Sequence, residues 1–142
     1  MDESILDTDM LSEVLKRKNP QVLTTARKYL LEHQRLAFSD MTVYEIIRGL
    51  KATQATRQLS VFLRTVATSD VFPVSRAVLL RAADLWVEGR LGGHPHDDAD
   101  LIIAATAIGN QRVLVTGNTI HYAWIKDLQL ADWRLSNAGT QQ

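Results

Sequence analysis

Residues 4–9 read Ser4-Ile5-Leu6-Asp7-Thr8-Asp9, a short apolar run that stops at a carboxylate. An apolar run of this length predicts a buried strand, and the Thr8 and Asp9 oxygens that follow it are typical helix caps. The pattern therefore predicts a strand followed by a helix over about residues 10–17. The Asp7 carboxylate stands at the junction between the two elements.

The same order of strand and helix recurs along the rest of the chain. Short apolar runs predict further strands at residues 36–38, 70–74, 112–115 and 128–130. Helical spacing of apolar residues predicts helices between these runs, and the helix over residues 100–108 is apolar on nearly every side. Alternating strands and helices predict an α/β fold, here a three-layer α/β/α sandwich around a mostly parallel sheet of four to five strands.

The size of the chain limits it to one domain. It has 142 residues and a mass of 15.9 kDa, and its composition of 46% hydrophobic and 23% charged residues is that of an ordinary globular protein. Residues 136–142 lack apolar anchors. We therefore expect one domain over residues 1–135 and a frayed tail over residues 136–142.

Charge and cysteine content exclude several classes of protein. Sixteen basic side chains balance sixteen acidic ones, so any contact with nucleic acid must be local. Cysteine is absent, which excludes disulfides, thiolate metal sites and cysteine nucleophiles. The acidic N-terminus does not resemble a signal peptide, and no apolar run approaches the ~20 residues of a membrane helix. We expect a cytoplasmic protein without a membrane association.

Polar side chains follow the ends of the predicted strands. Asp7 closes the first strand, Asn118 follows the fourth, and Asp100 opens the buried helix. Glu45 lies on the helix after the second strand, off its apolar stripe. In parallel α/β sheets the ligand crevice lies beyond the carboxyl ends of the strands, so these four groups are expected to converge there.

Three carboxylates in one crevice favour a bound cation. Two unit charges ~4 Å apart interact by roughly 4 kcal/mol at an effective dielectric of ~20, so the cluster is unfavourable without protons or a cation. Oxygen ligands alone select a hard ion such as Mg²⁺ or Mn²⁺. A bound divalent ion activates water for attack on a phosphodiester. The constellation therefore predicts phosphodiester hydrolysis.

Four motifs occur in the order and spacing of a known family. They are Ile5-Leu6-Asp7-Thr8-Asp9, Thr42-Val43-Tyr44-Glu45-Ile46 with Gly49 beyond, Asp100-Leu101-Ile102-Ile103-Ala104-Ala105, and Leu114-Val115-Thr116-Gly117-Asn118. In this arrangement the sequence resembles the PIN-domain ribonucleases, and within them the VapC toxins of type II toxin–antitoxin pairs. The resemblance spans about residues 5–133.

This resemblance implies an activity, a site and partners. The activity is that of a Mg²⁺-dependent or Mn²⁺-dependent endoribonuclease, and the partners are an RNA substrate, a cognate antitoxin and a second copy of the chain in a homodimer. The resemblance implies Asp7, Glu45 and Asp100 as metal ligands and catalytic residues. Asn118 is implied as a further catalytic residue, with Thr8 and Thr116 as supporting polar groups.

The sequence departs from the family after Asn118. Many relatives have an acidic residue before an aromatic there, whereas this chain has His121 before Tyr122. A histidine does not replace a carboxylate charge, so either Asp97 or Asp98 supplies it from the loop before the buried helix, or Asn118 acts through a water molecule. His94 and His96 in that loop suggest a transition-metal site, although a solvated loop is the simpler expectation.

Two other functions are consistent with parts of the sequence. Asp7-Thr8-Asp9 resembles the start of a haloacid-dehalogenase-type phosphatase with Asp7 as nucleophile, but Leu11 stands where that pattern has Thr or Val. The second alternative is a catalytically inactive PIN-like binding module. The presence of all three acidic residues argues against this module.

A protein interface is predicted on the helix over residues 56–67. Its apolar stripe of Leu59, Phe62 and Val66 exceeds what a small sandwich needs for its core. We therefore expect the stripe to supply part of the homodimer or antitoxin interface.

Overall fold

The computed structural model describes residues 1–135 and 140–141 of the chain. Its strands are short, as the apolar runs predicted. They are β1 (Ser4–Leu6), β2 (Ala37–Ser39), β3 (Asp70–Phe72), β4 (Val113–Val115), β5 (Leu130–Ala131) and β6 (Thr140–Gln141). The predicted tail over 136–142 falls largely outside the described residues, and its described part, β6, pairs with β5.

The helices alternate with these strands in the predicted order. They are α1 (Thr8–Lys16), α2 (Pro20–His33), α3 (Asp40–Ala52), α4 (Thr56–Ala67), α5 (Arg76–Leu91), α6 (Asp98–Gly109) and α7 (Thr119–Tyr122). The short helix α7 lies where the sequence predicted only a turn. Helix α1 begins earlier than predicted, because the Asp7 carboxylate caps it instead of Thr8 or Asp9.

The central strands run parallel, which aligns their carboxyl ends. The order in the larger sheet is β1-β4-β5-β6, with Leu6 opposite Val115 at the ends of β1 and β4. The Asp7 amide then donates to the Val115 carbonyl at 2.9 Å. Strands β2 and β3 form a separate parallel ladder next to β1, so the hydrogen bonding of the predicted single sheet is divided into two ladders.

Two hydrophobic cores lie on opposite faces of the strands. Ile5 and Leu114 pack on one face with α5 and α6. Leu6 and Val115, which point the other way, pack with α1, α2 and α3. This arrangement confirms the three-layer α/β/α sandwich, and the fully buried residues of α6 confirm that this helix belongs to the interior.

The predicted interface stripe on α4 belongs mainly to the core. Phe62 is only 2% exposed and lies 6.3 Å from the Phe38 ring, centroid to centroid. Val66 packs against the same core, and Leu59 is half-buried. The interface prediction was therefore wrong for Phe62, because the face of the sheet beyond β2 needs this helix as its cover.

Among the described residues, no helix combines the length and the apolar character needed to cross a bilayer. The longest of them, α5, has charged side chains along its length.

Candidate metal centre

Asp7 lies at the carboxyl end of β1 and is 9% exposed. Its carboxylate accepts a hydrogen bond from the Met10 amide at 2.8 Å, which fixes the side chain at the start of α1. Burial raises the pKa of Asp7 to about 6, and contacts with the Thr116 hydroxyl and the Met10 amide only partly offset this effect. The carboxylate is thus held in place but poorly solvated.

Asp100 reaches the same place from the first turn of α6. Its pKa is raised by burial, while a hydrogen bond from the Tyr122 hydroxyl acts in the opposite direction. The pKa of Tyr122 is raised, by burial first and then by the Asp100 charge. Tyr122 therefore stays protonated and donates to Asp100, which orients that carboxylate.

A cleft of about 230 Å³ joins these two carboxylates. Residues 93 positions apart in the chain thus share one site, as the sheet-edge rule predicted. The cleft is lined by Asp7, Asp9, Asp100, Thr116, Gly117, Asn118, His121, Tyr122 and Arg134.

The carboxylates of the cleft repel one another. Asp9 raises the pKa of both Asp7 and Asp100, and Asp100 also raises that of Asp7. Within the described residues, no lysine or arginine forms a salt bridge with Asp7 or Asp100; the nearest cationic candidate is His121, whose Nε2 is 3.8 Å from an Asp100 oxygen. The site accumulates negative charge that a cation can neutralise.

Asn118 lies on the rim of the cleft, as predicted. Its backbone amide donates to the Thr116 hydroxyl at 3.1 Å, and the residue precedes the first turn of α7. Across the rim, the Arg134 guanidinium donates to the Gly117 carbonyl and lies 3.3 Å from Asp132 Oδ1. Arg134 thus places a positive charge on the rim, where it interacts with the Asp7 charge without forming a salt bridge.

Glu45 does not line the cleft. Its carboxylate accepts a hydrogen bond from the Thr8 hydroxyl at 2.7 Å, and the same hydroxyl is 3.0 Å from that of Thr42. Since Thr8 directly follows Asp7, this chain of contacts places Glu45 beside the cleft on α3. An Arg48 guanidinium nitrogen lies 3.9 Å from the other oxygen of the Glu45 carboxylate.

The two aspartates proposed to supply a fourth charge lie outside the cleft lining. Asp97 precedes α6 without forming a side-chain cap, but its charge still raises the pKa of Asp100. Asp98 lines a separate apolar pocket with Trp86 and Leu101. The acidic residue that the sequence analysis missed is Asp9, which sits in the first turn of α1.

His96 is not part of a solvated loop. It is partly buried, accepts a hydrogen bond from the Trp124 indole at 2.8 Å and packs against His121 with 3.8 Å between ring centroids. Burial lowers the pKa of His96, and the neighbouring His121 lowers it further. His94 is exposed, as expected, and stacks on Trp124.

Tyr122 and Arg134 are functional candidates that the sequence analysis did not identify. Tyr122 comes from the short helix α7, and Arg134 lies after β5, close to the end of the described chain. The aromatic residue after His121 and the basic residue after Asp132-Trp133 were visible in the sequence. Neither has a spacing that points to this cleft without the fold.

Comparisons with known proteins cover most of the chain. Residues 4–124 match the family model of the PIN domain. The chain is 29% identical over 132 residues to Ribonuclease VapC1 of Haemophilus influenzae strain R2866, covering 91% of this chain and 96% of that protein. It is 26% identical over 130 residues to the tRNA(fMet)-specific endonuclease VapC of Shigella flexneri, with the same coverage of both proteins.

Solved structures share the fold over nearly the whole chain. The DNA-bound VapBC of Salmonella typhimurium matches with a TM-score of 0.81 at 24% identity, covering 94% of this chain and 99% of that one. VapBC-1 of nontypeable Haemophilus influenzae matches with a TM-score of 0.76 at 26% identity, covering 93% and 98%. The family model spans most of the sequence, and the chain therefore belongs to the PIN domain family.

Proposed function

We propose that this protein is a metal-dependent endoribonuclease toxin of the VapC type. The observation that carries the proposal is the convergence of Asp7 and Asp100 in one cleft where, among the described residues, neither carboxylate forms a salt bridge with a lysine or arginine, although Arg134 lines the same cleft. The similarity to proteins named ribonuclease and endonuclease VapC supports RNA as the substrate.

The donor set of the cleft fits a hard divalent ion. Asp7, Asp9 and Asp100 offer carboxylate oxygens, and a bound cation would offset the burial and mutual repulsion that raise the pKa values of Asp7 and Asp100. Asp7 and Asp100 would hold Mg²⁺ or Mn²⁺, and Glu45 would lie next to these two ligands. When bound, such an ion lowers the pKa of a water molecule and neutralises charge on the phosphate.

The protein's own residues position the reacting groups. The Met10 amide and the Thr116 hydroxyl orient Asp7, and the Tyr122 hydroxyl orients Asp100. Glu45, held by Thr8, is placed to accept a proton from a water molecule that enters beside Asp7. Asn118 and Arg134 on the rim offer hydrogen-bond donors to the phosphate of an RNA strand.

The proposal includes two protein partners. Solved relatives are described as VapBC and as a toxin–antitoxin complex from Klebsiella pneumoniae, which supports a cognate antitoxin for this chain. The homodimer that the family resemblance implies is part of the same proposal. We further propose that the protein acts in the cytoplasm, where its RNA substrate and antitoxin are made.

Removal of divalent ions tests the proposed chemistry. Purified protein incubated with total RNA and Mg²⁺ is expected to cleave it, and excess EDTA is expected to stop cleavage until Mg²⁺ or Mn²⁺ is added back. An Asp84→Asn variant, which removes the charge of an exposed acidic residue on α5, serves as a control and should cleave RNA at the rate of the unaltered protein. Cleavage that persists in EDTA would contradict a metal-dependent nuclease.

The RNA cleavage experiment also distinguishes the proposed nuclease from a catalytically inactive binding module. An inactive binding module would leave the RNA intact with or without Mg²⁺. Membership of the PIN family argues against the phosphatase alternative, and failure to trap a phosphorylated Asp7 with a phosphate monoester would complete that argument.

The affinity of the protein for a divalent ion is expected to decrease as the pH is lowered. Because the pKa of Asp7 is about 6, roughly a tenth of its carboxylate is ionised one pH unit lower. Mn²⁺ affinity, measured by titration calorimetry, should therefore fall about tenfold or more between pH 7 and pH 5. The fall should be smaller in an Asp7→Asn variant, and an affinity independent of pH would contradict Asp7 as a ligand.

A further inference from the structure

Two histidines lie beside the Asp100 carboxylate. His96 belongs to the loop before α6, and His121 belongs to α7. One ligand atom from each of His96, Asp100 and His121 lies within 4.8 Å of the other two. The PIN-type carboxylate site does not require either histidine.

We propose that His96, Asp100 and His121 form a binding site for a borderline transition-metal ion such as Zn²⁺ or Co²⁺. Two imidazoles and one carboxylate are a donor set that these ions prefer, whereas Mg²⁺ selects oxygen ligands. Three protein ligands leave a fourth position for water.

The distances require only small side-chain movements. Ligand atoms about 2.0–2.2 Å from a tetrahedral ion are roughly 3.4 Å from one another. The His121 Nε2 and Asp100 Oδ2 atoms are already 3.8 Å apart, and the His121 side chain is 37% exposed. Closing around an ion therefore requires ligand atoms that now lie within 4.8 Å of one another to approach by up to about 1.4 Å, and the His96 and His121 rings, 3.8 Å apart by centroids, to turn away from each other.

The surroundings of His96 fix its ring beside the other two ligands. The Trp124 indole donates to its Nε2 at 2.8 Å, and its Nδ1 is buried without a hydrogen-bond partner. A neutral imidazole has one acceptor nitrogen, so the ion would bind His96 Nε2, the nitrogen that now accepts from the Trp124 indole. His96 would then lose this hydrogen bond and gain a metal–nitrogen bond.

This site adjoins the proposed nuclease centre: it shares Asp100 with that centre, and His121 lines the same cleft. A test of metal binding without RNA therefore gives the same answer whether or not the chain cleaves RNA. Asp7, which belongs only to the carboxylate centre, distinguishes the two sites.

Cobalt titration provides the test. Metal-free protein titrated with Co²⁺ is expected to develop the intense visible absorption of four-coordinate cobalt, saturating at one equivalent. His121→Ala and His96→Ala should each weaken this binding by about 100-fold or more, since the loss of a second-sphere partner alone costs 10–100-fold. His121 is exposed enough for its variant to keep the fold.

Two control variants complete the experiment. His33→Ala removes a histidine on α2, outside the cluster, and should bind Co²⁺ as the unaltered protein does. Asp7→Asn should also retain the visible absorption. Absence of the absorption from the unaltered protein, unchanged affinity in the His96 and His121 variants, or its loss in Asp7→Asn would each overturn the proposal.

Discussion

Replacing Asp7 with asparagine is expected to abolish RNA cleavage and, in the metal-free protein, to increase the free energy of unfolding. Cleavage should fall by at least about 100-fold, because asparagine cannot supply the negative charge that holds the proposed ion. The increase in stability follows from burial of the same carboxylate, which is 9% exposed and faces Asp9 and Asp100.

The sign and size of the stability change follow from the pKa. The folded protein holds the pKa of Asp7 at about 6, above the ordinary value of 3.8, so the folded state binds more protons between these two values. Stability of the metal-free protein therefore falls as the pH rises from about 4 to about 6. Above that range the full cost is present, about 3 kcal/mol as an upper value.

Asparagine removes this cost while keeping the local structure. Its side-chain oxygen still accepts from the Met10 amide, and asparagine caps helices as well as aspartate does. Urea unfolding in EDTA should show a gain of about 1–3 kcal/mol at pH 7.5, which disappears near pH 4. Asp84→Asn should change neither cleavage nor stability. A less stable Asp7→Asn protein at pH 7.5 would show that the charged Asp7 carboxylate does not destabilise the folded protein.

The sequence was enough to identify Asp7, Asp100 and Asn118 as neighbours because parallel strands end together. The pairing of Leu6 with Val115 puts the residues after β1 and β4 side by side, independently of the conformation of the loops. Asp100 follows from its place in the first turn of the buried helix α6, which packs beside those strands.

Other parts of the site depend on contacts that spacing does not encode. Glu45 is displaced from the cleft lining because the Thr8 hydroxyl intervenes. Tyr122 reaches the cleft from the short helix α7, and Arg134 reaches it from the segment after β5, where the neighbouring Trp133 packs against Tyr29 with 5.4 Å between ring centroids. A helical stripe likewise shows which side of α4 is apolar, but it does not show whether the protein's own core or a partner covers that side.

Replacing Phe62 with alanine tests which of these two covers α4. The ring is 2% exposed and packs in the core that contains Phe38, so its removal leaves a cavity under the helix. Loss of a buried phenylalanine side chain costs about 3–5 kcal/mol, and we expect a loss in this range by urea unfolding.

Leu63→Ala is the matched control, because Leu63 is the next residue on the same helix and is 49% exposed. Truncation of a side chain on the open face of a helix changes stability by about 0.5 kcal/mol or less. If Phe62→Ala were as stable as Leu63→Ala, Phe62 would have to face solvent or a partner chain, and the sheet beyond β2 would lack its cover. A difference of several kcal/mol would instead show that the protein's own core covers Phe62.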